Sequence, residues 1–447
     1  MSGAQNSDKQ VLDNKVAAAQ QFTTSLDTPQ EVTAYSGSAA ITLAKNWLAT
    51  VTDNPESLAA AKAAVDDVVR SIVIAATPVV DPPGSSPLTF TLTTAPDTFT
   101  GAGTNDKFVA AAGTLNSGDN LNGGGGYDVL RVTATGETMA GTLTSIEEIR
   151  LIDGGTFNAQ ATQLSTIAFG HDNQAATGDV TLAIDLGAAT AVDLSDVTAG
   201  LAGTGAAGIK AIYSNVGTTA LDVVLSGLAD TFTGTAGNDT IKGGAGGDNI
   251  DAGDGDDTFV DFEGEDTLDG GAGTNTLKLT ATSADLNSAI DAQLISVHKI
   301  DATSSAAGVS ISLALQSEGF IITGSSHGDT IRGGAGDDAI SGGAGDDTFL
   351  EFIGGDAIDG GAGMNTLKIS GTTADLNAAT DAQLLDIGYV DASTASAGVT
   401  IMLSSQTESI TLTGSANSDT LKGGSGADMI SGGGDSDVIY AGTGGDT

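Results

Sequence analysis

From Gly234 onward one apolar position returns every nine residues. Ile241, Ile250, Phe259, Leu268 and Leu277 mark it through five uninterrupted nonads: GTAGNDTIK, GGAGGDNID, AGDGDDTFV, DFEGEDTLD and GGAGTNTLK. The last three residues of each nonad predict a short strand with its central side chain facing inward. The first six, rich in Gly, Asp and Asn, predict a tight turn. Two nonads make one coil of a parallel β-roll, so equivalent turns stand eighteen residues apart and the apolar positions stack into a ladder. A second array starts at Gly324 and a third at Gly414, where the chain ends inside a repeat at Thr447; this predicts a fragment of a longer protein.

The arrays belong to a longer repeat. TSADLNSAIDAQL at Thr282 returns as TTADLNAATDAQL at Thr372, ninety residues on, and the stretch from Ser296 matches that from Asp386 without a gap. Ninety residues are five coils of eighteen, which suggests that the linker keeps the phase of the β-helix. Leu286, Ile290 and Leu294 have helical spacing and predict a short helix; Val309, Ile311 and Leu313 alternate and predict a strand.

Upstream the pattern changes. Residues 1–75 carry apolar positions at helical spacing in Lys9–Phe22, Ala39–Val51 and Pro55–Val73, with Asn54 placed as an N-cap before Pro55. Residues 76–90 form a Pro-rich linker with four of the seven prolines, an extended tether. Residues 91–131 hold degenerate nonads, and residues 132–230 lack the nonad and read as a calcium-poor β-helix. Residues 231–320 and 321–410 are complete ninety-residue units, and 411–447 begins a third. The fold expected is mainly β, a right-handed parallel β-roll or β-helix rod preceded by a small α-helical segment.

The turn residues carry the candidate chemistry. Glycine at the first, second and fourth positions tolerates positive φ and lets carbonyl oxygens crowd an ion. The first array offers Gly234, Gly237, Gly243, Gly244, Gly246 and Gly255. The second offers Gly333, Gly334, Gly336, Gly342, Gly343 and Gly345, and the third Gly423, Gly424 and Gly426. An aspartate at the sixth position adds a carboxylate: Asp119 and Asp128 in the degenerate nonads, Asp239, Asp248, Asp257 and Asp266 in the first array. Asp329, Asp338, Asp347 and Asp356 follow in the second, and Asp419, Asp428 and Asp437 in the third. Oxygen donors with little nitrogen or sulfur select calcium. Asp239 is expected above Asp257, and Asp248 above Asp266, with mutual repulsion across ~4.8 Å relieved by the ion. Folding and metal binding are then one event. Asp261-Phe262 and Glu351-Phe352 replace paired glycines, His327 replaces a fourth-position glycine, and Asn275 and Asn365 replace the last aspartate of their arrays. These turns are expected to be weak or unfilled ion sites.

Charge sharpens this picture. The net charge is −42, and residues 76–447 hold 49 acids against 10 bases. So strong a negative field argues against nucleic acid as a partner and against anionic membranes unless calcium bridges the two. There is no cysteine, hence no disulfide or thiolate metal site, and no apolar stretch long enough to span a membrane. No HExxH occurs, the three histidines are far apart, and GSSHG at Gly324 lies within the repeat register rather than on a nucleophile elbow. No catalytic residue is expected.

The nonads at Gly234, Gly324 and Gly414 resemble the RTX (repeats-in-toxin) family of type I-secreted calcium-binding proteins. The layout of a helical segment, a Pro-rich linker and an Ala/Thr/Gly-rich β-helix interrupted by such nonads resembles the surface-layer proteins of Gram-negative bacteria. The resemblance implies several bound calcium ions, an extracellular place on the bacterial cell surface, and self-assembly into a lattice. It also implies an anchor to cell-surface polysaccharide through residues 1–75. The alternatives are the non-catalytic part of a secreted enzyme and the spacer rod of an adhesin.

Overall fold

The computed structural model describes residues 2–24, 44–45, 47–49, 51–52, 57–58, 61–62, 86–139, 141–152, 154–164, 167–172, 179–187, 189, 191–199, 209–214 and 219–447. The chain divides into two compact units. One comprises Met1–Phe157, Ile167–Val180 and Gly200–Ala207; the other comprises Asn158–Thr166, Thr181–Ala199 and Gly208–Thr447.

In the first unit a helix runs from Ser2 to Thr24 and contains the predicted Lys9–Phe22 segment. Its inner face carries Ala18 and Phe22, and the Phe22 ring lies 5.4 Å from that of the buried Trp47. The indole N–H of Trp47 donates to the carbonyl of Ala61 at 2.9 Å, and the Asn14 amide donates to the carbonyl of Thr52. Much of the predicted Ala39–Val51 and Pro55–Val73 helices, including the Asn54 cap, lies outside the described residues, as does most of the Pro-rich linker. The β structure begins at Thr89–Thr91. Phe90, Phe108, Leu130, Ile149 and Phe169 then stack in parallel register, with Phe99, Leu121 and Leu143 on a second sheet.

The second unit is a parallel solenoid made of three-residue strands, and its ladders follow the nonad period. Val223, Ile241, Phe259 and Leu277 are register partners on one sheet, and Phe232, Ile250 and Leu268 on the other. All are buried. A strand this short is stable only because neighbours above and below complete its hydrogen bonds and cover its one apolar side chain.

Two expectations about the linker change. Leu286, Ile290 and Leu294 do not share one helix. Two separate 3-10 turns, Leu286–Ser288 and Asp291–Gln293, stand there, while the second copy makes a five-residue α-helix at Ala374–Ala378. Leu286 and Leu294 are buried, but Ile290 is exposed, so the spacing tracks two inward contacts rather than one helical face. Val309, Ile311 and Leu313 are all buried around the strand Ser310–Ser312, as the alternation predicts. The ninety-residue unit is also not five coils. Between Ile321–Thr323 and Thr411–Thr413 the chain makes nine strands, counting the first. Nine is odd and there are two strands per coil, so the unit is four and a half coils long. Ile322 accordingly pairs in the ten-stranded sheet, whereas Leu412, ninety residues on, pairs in the seven-stranded sheet.

The substitutions Asp261-Phe262 and Glu351-Phe352 have a structural reason. Asp261 and Glu351 take φ of 62° and 66°, and the next residue, Phe262 or Phe352, turns fully inward. The Asp261 carboxylate holds the backbone N–H and hydroxyl of Thr280.

Because Phe349 is 1 % exposed in the middle of its ladder and Tyr440 is 54 % exposed, their truncations should separate cleanly. Phe349→Ala is expected to cost about 3–5 kcal/mol, and Tyr440→Ala to stay within about 0.5 kcal/mol. Urea unfolding in saturating calcium reads the difference; equal midpoints for the two variants would contradict the ladder as the core.

Candidate metal-binding turns

Each sixth-position carboxylate lies at the inner edge of its turn and accepts a backbone N–H from the coil before it. The Asp239 N–H donates to Asp257 Oδ1 at 2.7 Å and the Asp248 N–H to Asp266 Oδ1 at 2.9 Å. In the second array Asp329 donates to Asp347 at 2.8 Å and Asp338 to Asp356 at 3.0 Å. The third array repeats this with Asp419 on Asp437. The eighteen-residue stacking is therefore as expected, but the contact is not two carboxylates face to face. A backbone amide stands between them.

The second carboxylate oxygen, Oδ2, sorts the turns into two classes. In the self-capped turns it is held within its own nonad. The backbone N–H of Thr235, Ser325 and Ser415 donates to Oδ2 of Asp239, Asp329 and Asp419 at 2.6 Å, while the hydroxyl of the same residue donates to Oδ1. Gly334 and Gly424 likewise donate to Oδ2 of Asp338 and Asp428. Asp266 and Asp356 receive the N–H of Glu263 and Ile353, and Asp119 receives that of Asn116.

In the open turns Oδ2 has no partner. Asp248, Asp257, Asp347 and Asp128 each leave this oxygen buried and unbonded. The local reason is the backbone. Gly244 and Gly246 take φ of 92° and 138°, and Gly343 and Gly345 take 97° and 125°, which swings the second-position N–H away from the aspartate. Gly334 and Gly424 do not enter that region, and their N–H groups close the turn. Gly237, Gly336 and Gly426 likewise stay outside it, while Gly255 joins the left-handed set at the Asp257 turn.

The first-position glycine supplies the space. A Cβ on Gly234, Gly243, Gly333, Gly342 or Gly423 would collide with Oδ2 of its own sixth residue. At Gly342 it would meet both Asp347 Oδ2 and the carbonyl of Gly360, so two acceptors converge there with no donor between them. A buried anionic oxygen aimed at carbonyl oxygens is unfavourable alone and complementary to a hard cation. Among the described residues no three acidic or histidine side chains converge on one point. The donor set is instead one carboxylate per turn with backbone carbonyls, and that set fits calcium.

Burial is the first cause of the electrostatic strain. It pushes the Asp248 carboxyl up to about 8, against the lowering effect of the Asp230 N–H, with Asp230 and Asp266 adding repulsion. Asp128 rises to about 7, and Asp257 and Asp356 to about 6, again through burial first. The expected repulsion between neighbouring carboxylates also raises these values, but it ranks after burial and after the lowering effect of the donated N–H groups.

Three sixth-position acids belong to the same columns and were not singled out by the nonad match. Asp106 holds the Leu88 N–H, and Asp446 holds that of Asp428. Asp230 donates its N–H to Asp248, carries an unbonded Oδ2, and accepts from the hydroxyls of Ser226 and Tyr213. Counting nine residues back from Asp239 finds Asp230, and aligning GAGTND on GTAGND finds Asp106.

These features define a calcium-binding parallel β-roll. The RTX calcium-binding nonapeptide repeat matches in four copies, at residues 226–259, 243–277, 323–350 and 413–447, so the chain carries RTX calcium-binding repeats. Comparison with curated proteins finds none that matches.

The raised carboxyls set a pH dependence for the ion-free protein. A folded pKa above the unfolded value favours folding at low pH. The contribution is complete below about 4, the ordinary Asp value, and is lost as pH rises through about 6 at Asp257 to about 8 at Asp248. Dialysed, calcium-free protein should therefore melt higher at about pH 5 than at about pH 8.5, with calcium narrowing the gap. A melting temperature that climbs with pH in the absence of calcium would contradict the assignment.

Proposed function

We propose that the chain is a secreted, non-catalytic structural protein of the bacterial cell surface, similar to a surface-layer protein, in which calcium drives both folding and assembly. The observation that carries this reading is the in-phase series of open turns with unbonded, desolvated carboxylate oxygens at Asp248, Asp257 and Asp347. In calcium-poor surroundings each open turn buries an anion with an unmet valence, and the coil holding it is destabilised. In calcium-rich surroundings outside the cell the same turn gains ligand bonds. Extracellular calcium modules typically bind with constants of ~10⁻⁴–10⁻³ M, which suits a protein exported unfolded and folded outside.

Assembly follows from charge. A net charge of −42 keeps copies apart at low calcium. Calcium both reduces that charge and bridges exposed acids on neighbouring copies. No helix among the described residues is long and apolar enough to cross a membrane. The proposed attachment to the cell is to surface polysaccharide, with residues 1–75 as the anchor.

Calcium added to chelated protein, followed by far-UV circular dichroism and light scattering together, tests both halves. The expected result is a β signal that rises with calcium, then growing particles. Folding without any growth in size would remove the assembly half; a signal indifferent to calcium would remove the whole reading.

A further inference from the structure

The last turn of each complete array carries asparagine where the others carry aspartate, and the structure shows what the amide does. Asn275 keeps the ladder contact of an aspartate: its Oδ1 accepts the Asp257 N–H at 3.0 Å, and Asn365 Oδ1 accepts that of Asp347 at 3.0 Å. The turn backbone is also of the open kind, with φ of 64° and 119° at Gly271 and Gly273. The difference lies at the other terminal atom. Asn275 Nδ2 donates to the carbonyls of Gly270 at 2.7 Å and Ser296 at 3.0 Å. Asn365 Nδ2 donates to the carbonyls of Gly361 at 3.2 Å and Asp386 at 3.0 Å. Both amide hydrogens are used, and they meet the carbonyl oxygens that a carboxylate would only repel.

We propose that Asn275 and Asn365 are internal cation substitutes: each side-chain amide fills the role a calcium ion plays in the open turns and ends the ion column at that coil. The inference rests on the calcium reading above and extends it from which turns hold ions to what stops the series. Ser296 and Asp386 adopt φ of 53°, which aims their carbonyls at the amide, and at Asn275 the sheet register shifts. The plug therefore sits where the chain leaves nonad phase and a further in-phase turn is no longer available to share an ion.

The chain contains its own contrast. Asp128 occupies the corresponding slot in the first unit. Ser145 is again left-handed, with φ of 50°, and a Cβ on Gly123 would meet both the Ser145 carbonyl and Asp128 Oδ2. Here the residue is an acid, and Oδ2 has no partner. The slot that is plugged by an amide at Asn275 and Asn365 is left open to a cation at Asp128.

Calcium stoichiometry of the full chain, by isothermal titration and native mass spectrometry, tests this with three variants. Asn275→Asp and Asn365→Asp should each add one calcium per chain at saturation and lower the calcium-free melting temperature. Asp128→Asn should remove one calcium and raise the calcium-free melting temperature. The reciprocal variant keeps the test decisive if either aspartate variant folds poorly without calcium. A wild-type chain that binds calcium, with variants whose ion counts do not change, overturns the plug and leaves the calcium reading standing. A wild-type chain that binds no calcium overturns both.

Discussion

One contact organises the repeat region: a buried carboxylate oxygen accepting a backbone N–H from the coil before it, repeated every eighteen residues. It fixes the register of short strands that have little else to specify it, because three-residue strands such as Thr240–Lys242 offer a single inward side chain each. It also brings a second, negatively charged oxygen into the interior at every step. What happens to that oxygen decides the character of each turn. A neighbouring backbone N–H satisfies it at Asp239 and Asp329, an amide replaces it at Asn275, and at Asp248 and Asp347 nothing in the protein does. The unmet hydrogen-bonding capacity is thereby located in a subset of turns rather than spread evenly over the motif.

This division follows from competition between local hydrogen bonds and backbone conformation. A hydroxyl-bearing second residue, Thr235 or Ser325, has two donors to offer and caps its own aspartate. A left-handed glycine pair turns those donors away. In the two complete arrays self-capped turns come first, open turns follow, and a self-capped turn at Asp266 or Asp356 precedes the closing asparagine. Each complete array is thus framed by turns whose polar side chains are bonded within the protein.

Much of this was legible in the sequence. The nine-residue spacing of Ile241, Ile250 and Phe259 gave the strands, the ladder and the stacking of Asp239 on Asp257, because a period of that regularity leaves one way to bury the apolar set. The linker was less legible. Its ungapped ninety-residue period was consistent with whole coils, yet the chain makes nine strands there, and an odd count is invisible to a match of length alone. Ile290 matched a helical spacing that the chain does not use, since 3-10 turns satisfy the same inward contacts at Leu286 and Leu294. At the site, the identity of each aspartate was readable but not its state. GGAGGD at Gly243 and GGAGDD at Gly333 look equivalent, while only the first leaves its carboxylate oxygen unbonded, because φ at the second glycine differs. Asp230 was missed because its own turn lacks the glycines, although its place in the register was countable.

The central claim is that calcium binds at the turns whose carboxylate oxygen is unbonded. The direct measurement is a crystal structure of the calcium-loaded chain with anomalous difference density recorded for calcium. The account predicts peaks beside Asp128, Asp248, Asp257 and Asp347 and none beside Asn275 or Asn365. Peaks confined to the self-capped turns of Asp239, Asp329 and Asp419, with the open turns empty, would contradict it.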